Sequence, residues 1–446
     1  MKKDIDMLNG SIADKIIRFA IPLAITGILQ QVFNAMDVMV VGRFADKHAM
    51  AAVGSNTPIV GLIVNLLVGL SLGANITIAR YIGQKREEDV KKAVHTSIII
   101  ALLAGVIFGV VGLLIAKPLL NALSVPPEVL PMASAYLRIY FTGLPVVLLY
   151  NFEAAIFRAY GDTKTPLICL IIAGILNVVL NMYFVIVLHR NADGVAIATV
   201  LSNLVSSVTM FIILIRTDRI IKVEPKRLRI DPHVFRVIIR LGLPAGIQSA
   251  VFSFSNIIIQ SAINSLGPDV MAASSAAFNV EIFTYFILNA FGQACTTFIG
   301  QNYGAGNKER CKKITRYSYI MDLIATALFS AIVIWFSASI LGFFSDDPNV
   351  ISLGVTRVKY ITYFQVVNAT MEILSGTMRG YGNSVGPAVI TLFGVVGTRI
   401  FWVYAVFPFS RTFQTLLTCY PISWIVTAII LITYYFIKYG RKKEAS

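Results

Sequence analysis

Apolar residues run through this chain in stretches much longer than the core strands or helices of a soluble protein, and polar residues collect in short gaps between them. Twelve such stretches are readable, near 15–41, 52–79, 93–116, 133–156, 165–188, 193–216, 236–263, 274–299, 314–341, 353–378, 387–409 and 413–437. A helix needs ~20 apolar residues to cross a bilayer, so each stretch is long enough to span. The pattern predicts an all-α membrane protein of about twelve transmembrane helices joined by short loops. The first stretch is too long for a signal-peptide core and is followed by many like it, so it reads as a retained helix.

Composition agrees with the pattern. Hydrophobic residues make up 57% of the 446 positions and charged residues only 14%, against roughly 25% charged in a soluble domain. The net charge of +15 raises nucleic acid as a partner, but its distribution argues otherwise. With both termini on one side of the twelve helices, 29 of the 38 Lys and Arg fall on that side and 8 on the other, with Arg399 inside a helix. That is the positive-inside asymmetry of a cytoplasmic membrane protein with cytoplasmic termini. The basic run from Arg216 to Arg240 then becomes the central cytoplasmic loop. The expected partners are a small-molecule substrate and membrane lipids, not nucleic acid, with the chain acting as a monomer.

The chain also repeats itself. Arg18-Phe19-Ala20-Ile21-Pro22 returns as Arg240-Leu241-Gly242-Leu243-Pro244, an offset of 222. Phe157-Arg158-Ala159-Tyr160-Gly161 returns as Met378-Arg379-Gly380-Tyr381-Gly382, an offset of 221, and Gly83-Gln84 is echoed by Gly300-Gln301. The expected division is an N-lobe over 1–217, a cytoplasmic linker over 218–235 and a C-lobe over 236–446. Six helices per half give both halves the same orientation, so they should be related by a pseudo-two-fold axis along the membrane normal, with a central cleft. Such duplication suits a transporter. No GxSxG, HExxH or Walker-type loop is present, which argues against an enzyme and against ATP as an internal energy source. The four cysteines (Cys169, Cys295, Cys311, Cys419) show no CxxC pairing, and the four histidines are scattered, so neither a cofactor nor a metal site is expected.

Several motifs carry a family resemblance. The run from Gln30 to Arg43, Ala52-Val53-Gly54, Gly73-Ala74-Asn75, the Arg158–Pro166 and Arg379–Pro387 loops, and Gly300-Gln301-Asn302-Tyr303-Gly304-Ala305-Gly306-Asn307 with Arg310 resemble multidrug and toxic-compound extrusion (MATE) transporters, in their DinF-like and MepA-like bacterial branches. The resemblance covers essentially the whole chain. It implies exchange of protons or sodium ions for bulky, amphipathic or cationic organic compounds, drugs or toxic metabolites. Lipid-linked oligosaccharide flippases share the superfamily fold and are the alternative reading; their cleft should be basic.

Asp37 is the leading coupling residue, because a carboxylate inside a membrane helix costs roughly 3 kcal/mol or more and needs a reason. Gln30, Asn34 and Asp37 share one helix face. Helix direction brings Asn177, Asn181, Thr199 and Tyr136 to a similar depth, which would suit a proton network or a Na⁺ site at Asp37. The alternative is a merely hydrated Asp37 near the outer helix end. The resemblance matches at Asp37, Asn177, Thr199 and Tyr136, and departs at Asn181, where many relatives carry a second acid.

In the second half Ile259 takes the place of Asp37, while Asn256 keeps that of Asn34. NorM-type relatives have acids where Ser253 and Asn368 stand, so their C-lobe cation site is expected to be missing. Ser249, Ser253, Asn256 and Gln260 form a polar stripe that either lines the cleft or bonds a neighbouring helix. Glu281 and Glu372 read as attractors of cationic cargo, with a local Glu372–Arg379 pair as the alternative; Glu153 near Arg158 is read the same way. Arg399, about halfway along its helix, demands a partner. Depth points to Glu281, directly or through one water, unless Arg399 snorkels outward.

Overall fold

A computed structural model describes residues 4–45, 47–123 and 125–440 of the chain. Among the described residues there are helices and loops and no strand. The longer helices are α1 (Ala13–Phe44), α2 (Lys47–Gly83), α3 (Glu87–Ala122), α4 (Leu130–Tyr160), α5 (Lys164–Val187), α6 (Ala192–Arg216), α7 (Pro232–Asn264), α8 (Pro268–Gly304), α9 (Lys308–Trp335), α10 (Pro348–Tyr363), α11 (Gln365–Gly380), α12 (Val385–Phe409) and α13 (Phe413–Tyr439). Eleven of them are long and apolar enough to cross a membrane. The stretch read as one helix over 353–378 is instead two helices of 16 residues, α10 and α11, which meet at Phe364. Together they fill the place of the one expected span that is not among those eleven. Large apolar side chains lie exposed on the outside, such as Leu114 (74%) and Phe393 (70%), as a lipid-facing surface requires.

Local chemistry sets the helix ends. Gly161 and Gly382 follow α4 and α11 with φ of 105° and 84°, the left-handed conformation that closes a helix C-terminus and that only glycine adopts without strain. They are partners in the sequence repeat. The next residues extend the parallel: Asp162 Oδ1 accepts from the backbone N–H groups of Lys164 and Thr165, and Asn383 Oδ1 accepts from that of Gly386. Asp231, just before α7, accepts from the N–H groups of Val234 and His233, and these bonds hold its carboxyl below the usual carboxylate range.

The chain forms two compact units, residues 1–6 with 25–246 and residues 7–24 with 247–446. The units therefore exchange pieces relative to a cut at 217–236. The early part of α1 belongs to the second unit, and the early part of α7 to the first. Each helix changes unit two residues beyond an internal proline, Pro22 in α1 and Pro244 in α7, where the missing N–H removes one helical hydrogen bond.

In the first unit α2 and α7 approach through facing glycines. Gly69 and Gly73 of α2 meet Gly246 and Gly242 of α7, and a Cβ on Gly73 would stand 2.3 Å from the carbonyl oxygen of Ile238. Each side is a G-x-x-x-G, the small-residue spacing that lets membrane helices touch backbone to backbone. Backbone cannot yield as a flexible side chain can, so Gly73→Ala should cost at least about 1–3 kcal/mol. Thermal unfolding in detergent checks this; an unchanged midpoint would refute the close approach.

The second unit packs the early part of α1 against α8, with Phe19 edge-on to Phe298 at 5.5 Å. The Gly300–Asn307 motif ties down the segment before α1. Asn302 donates to the Met7 carbonyl (3.0 Å), and Arg310 to the carbonyls of Asn9 and Gly10 (3.2 and 2.9 Å). The four cysteines are all free and buried.

Candidate functional site

Asp37 lies in the first unit, on α1, and is 7% exposed. Gly174 of α5 makes its placement possible, because a Cβ there would lie 1.9 Å from the Phe33 ring. With no side chain at 174, α1 lies close against α5. One turn on from that contact, Asp37 reaches Asn181. Asn181 Nδ2 donates to Asp37 Oδ1, and also lies 3.2 Å from Asn177 Oδ1. Thr199 Oγ1 of α6 donates to Asp37 Oδ2 at 3.3 Å and receives the Asn177 amide at 3.4 Å. Three helices thus close a ring of one carboxylate, two amides and one hydroxyl. Within that ring Asn181 Oδ1 is buried with no hydrogen-bond partner, and the π-helical turn Tyr183–Val187 follows directly.

The remaining first-half candidates stand apart. Tyr136 on α4 is buried and electrostatically close to Asp37, with no hydrogen bond to it among the described residues. Asn34 and Gln30 are exposed and make no hydrogen bond to Asp37. Sharing a helix face fixes a direction only loosely: three residues at 100° each leave Asn34 about 60° away from Asp37, enough to turn one inward and the other out. The alternative of a hydrated Asp37 does not fit its burial.

The second unit departs from the sequence reading. Glu281 does not pair with Arg399. Its partner is Arg357 on α10, through Nη2–Oε1 at 2.6 Å and Nε–Oε2 at 3.3 Å, and Arg357 also bonds Ser274. Both ends of the pair are buried. Arg357 falls inside the stretch read from 353, near its start; α10 begins five residues earlier, at Pro348, and carries Arg357 past its midpoint.

Arg399 does not snorkel either, being 1% exposed. It donates to Asn256 Oδ1 (3.0 Å) and Ser423 Oγ (3.3 Å), with its guanidinium 4.9 Å from the Phe252 ring and 4.5 Å from that of Tyr420. Asn256 therefore bonds a neighbouring helix. Ser253 bonds back to the Ser249 carbonyl, and the exposed Gln260 bonds Asn264 on its own helix. Ile259 sits in an apolar cluster.

Glu372 pairs with Arg379 at 3.4 Å, and Arg379 also donates to Gln248 Oε1. Glu153 has no ion pair with Arg158 among the described residues; fully buried, it accepts from Ser207 at 2.9 Å. Sequence reasoning passed over Asp322 on α9, fully buried and bonded to Thr326, with Oδ2 lacking a partner. Its signal was available, as a lone acid inside an apolar stretch.

A family model described as MatE matches residues 22–183 and again residues 244–405, two matches offset by 222, the spacing of the sequence repeat. The chain is 28% identical to the probable multidrug resistance protein YpnP of Bacillus subtilis, covering 99% of this chain and 98% of that one. It is 25% identical to the probable multidrug resistance protein YoeA of the same organism, over 95% and 94%. Among solved structures, an outward-facing multidrug resistance MATE family transporter of the MOP superfamily superposes with a TM-score of 0.90 at 22% identity, over 98% of both chains. A MOP superfamily transporter from Pyrococcus furiosus Vc1, for which reverse polarity of the binding pocket suggests a different function, gives 0.92 at 22%, over 100% of both. The structural likeness establishes the shared fold, and the doubled match, covering most of the chain in two copies, makes this multi-pass membrane protein a member of the MatE family.

Proposed function

We propose that the chain is a secondary active antiporter of the cytoplasmic membrane, with both termini cytoplasmic. It exports amphipathic organic compounds, drugs or toxic metabolites in exchange for H⁺ or Na⁺, and Asp37 is the group that carries the exchange. The observation that bears most weight is the enclosed Asp37 carboxyl inside a ring of oxygen and amide groups from three helices. A carboxyl in such a place is costly when ionised, so it gains by taking up a proton or by holding a sodium ion. Asp37, Thr199 Oγ1, Asn177 Oδ1 and the unpartnered Asn181 Oδ1 supply the oxygen donors a hard cation favours. Either ion neutralises the site, and its release to the other side can be linked to cargo movement. The names of the relatives favour drug export and give no support to the flippase alternative.

The case for a cationic cargo is narrower than composition suggested. Glu281 and Glu372 are neutralised by Arg357 and Arg379, so both acids read as attractors of cationic cargo are already engaged.

Proteoliposomes loaded with ethidium test the proposal. A pH gradient without sodium and a sodium gradient at equal pH are imposed in turn, and the gradient that drives uphill movement identifies the coupling ion. Uphill movement under neither gradient would overturn antiport for this probe and for any cation like it.

A further inference from the structure

The two halves of the repeat each bury a charge, of opposite sign and at different positions of the repeat. At an offset of 222, Asn177 of the Asp37 ring corresponds to Arg399, Asn34 to Asn256, and Asp37 itself to Ile259. The first unit thus encloses a carboxylate with no cation beside it, and the second encloses a guanidinium with no free acid beside it. Among the described residues no acid lies within ion-pair distance of Arg399. The one carboxylate of its neighbourhood, Glu281, is held by two bonds from Arg357. Arg357 and Arg399 both lie against the Tyr420 ring, at 5.8 and 4.5 Å, so two cations share one carboxylate.

The guanidinium of Arg399 is incompletely bonded. Nε and Nη1 reach Ser423 and Asn256, while Nη2 is buried with no partner. An uncompensated buried charge is among the costliest features a fold can hold, and a compact anion would relieve both the charge and the open N–H groups. The backbone is unusual here too. Arg399 sits on a four-residue α-helical stretch, Thr398–Phe401, between two π-helical segments, Leu392–Gly397 and Trp402–Val406. Such interruptions cluster at functional sites, and a π-helical turn also follows Asn181 in the first unit.

We propose that the second unit binds a compact anion at Nη2 of Arg399, either the carboxylate of a cargo molecule or an inorganic halide. The protein then holds a cation in one repeat and an anion in the other. The site stands on the Arg399 geometry alone and does not depend on which ion Asp37 carries.

Thermal unfolding of the purified full chain in detergent tests it at fixed ionic strength. Methanesulfonate, a bulkier anion, is replaced stepwise by bromide or by formate. Binding to the folded state raises the midpoint in a saturating manner. The wild-type chain should show this rise. In Arg399→Gln, which removes the cation, and in Asn256→Asp, which places a carboxylate against Nη1, the half-saturating concentration should increase at least tenfold. A rise with formate and not bromide assigns the site to a carboxylate, and the reverse to a halide. No saturating rise with either anion, or an unchanged response in Arg399→Gln, overturns the proposal. Should that variant fail to fold, an unchanged response in Asn256→Asp overturns it equally.

Discussion

Asp37→Asn should abolish uphill efflux while leaving the chain folded, inserted and able to exchange cargo down its gradient. The replacement is nearly isosteric: its amide oxygen can still accept from Asn181 while its NH2 group donates to the Thr199 hydroxyl, so the ring formed with α5 and α6 keeps its shape. What disappears is the capacity to take up a proton and the full negative charge that holds a sodium ion. Equilibrating exchange of labelled cargo needs neither, whereas accumulation against a gradient needs one of them. The expected result is a loss of accumulation to the background of empty vesicles with downhill exchange retained. Wild-type accumulation by the mutant would remove Asp37 from the mechanism; loss of both activities, with normal folding, would make it a cargo-binding group instead.

Arg357→Met should destabilise the second unit by roughly 3–5 kcal/mol, because it leaves the buried Glu281 carboxylate unpaired. Arg357→Met combined with Glu281→Gln should recover most of that loss, since a neutral side chain no longer demands a counter-charge. The pair is bidentate and both partners are almost wholly enclosed, the geometry in which one-sided removal costs most. Unfolding midpoints of the two single variants and the double variant form the cycle that measures it. A double variant as unstable as the sum of the singles would mean that the ion pair contributes nothing beyond packing. Combining Arg399→Met with Glu281→Gln should bring no such recovery, because Arg399 is not the partner of Glu281.

Helices and repeat were legible because bilayer thickness imposes a length that a long apolar run must meet, and because the tandem motifs survive at one offset. The Asp37 ring was legible for a similar reason: helix direction gives depth, and depth brought Asn177, Asn181 and Thr199 to the carboxylate. Depth does not give azimuth. Asn34 was on the right face yet turns out of the ring, and Glu281 was given to Arg399 when Arg357, at a compatible depth, is its neighbour. That error began at a helix boundary: a helix begun at 353 leaves Arg357 about one turn from its start, whereas α10 begins five residues earlier and sets it more than two turns in. Asp322 was missed because the acids weighed were those near cargo or a recognisable partner, and a carboxyl bonded to Thr326 one turn along its own helix announces neither. The exchange of the early parts of α1 and α7 between units has no sequence signature, since it depends on packing partners far along the chain.

That exchange has a consequence for how the protein is made. The segment before α1 finds Asn302 only 295 residues later and Arg310 about 300 later, and Phe19 meets Phe298 on the same helix as Asn302. When the first helix leaves the ribosome, nothing that will cover Met7, Ile16 or Phe19 has been synthesised. The early part of α1 must wait in the bilayer or against an insertion factor while seven further helices, α2 to α8, are built, and the first unit itself remains open until residue 246 has emerged. Residues 7–24, early in translation, are therefore among the last parts to dock, and a chain stopped after its sixth helix should be a substrate for membrane proteolysis rather than half a transporter.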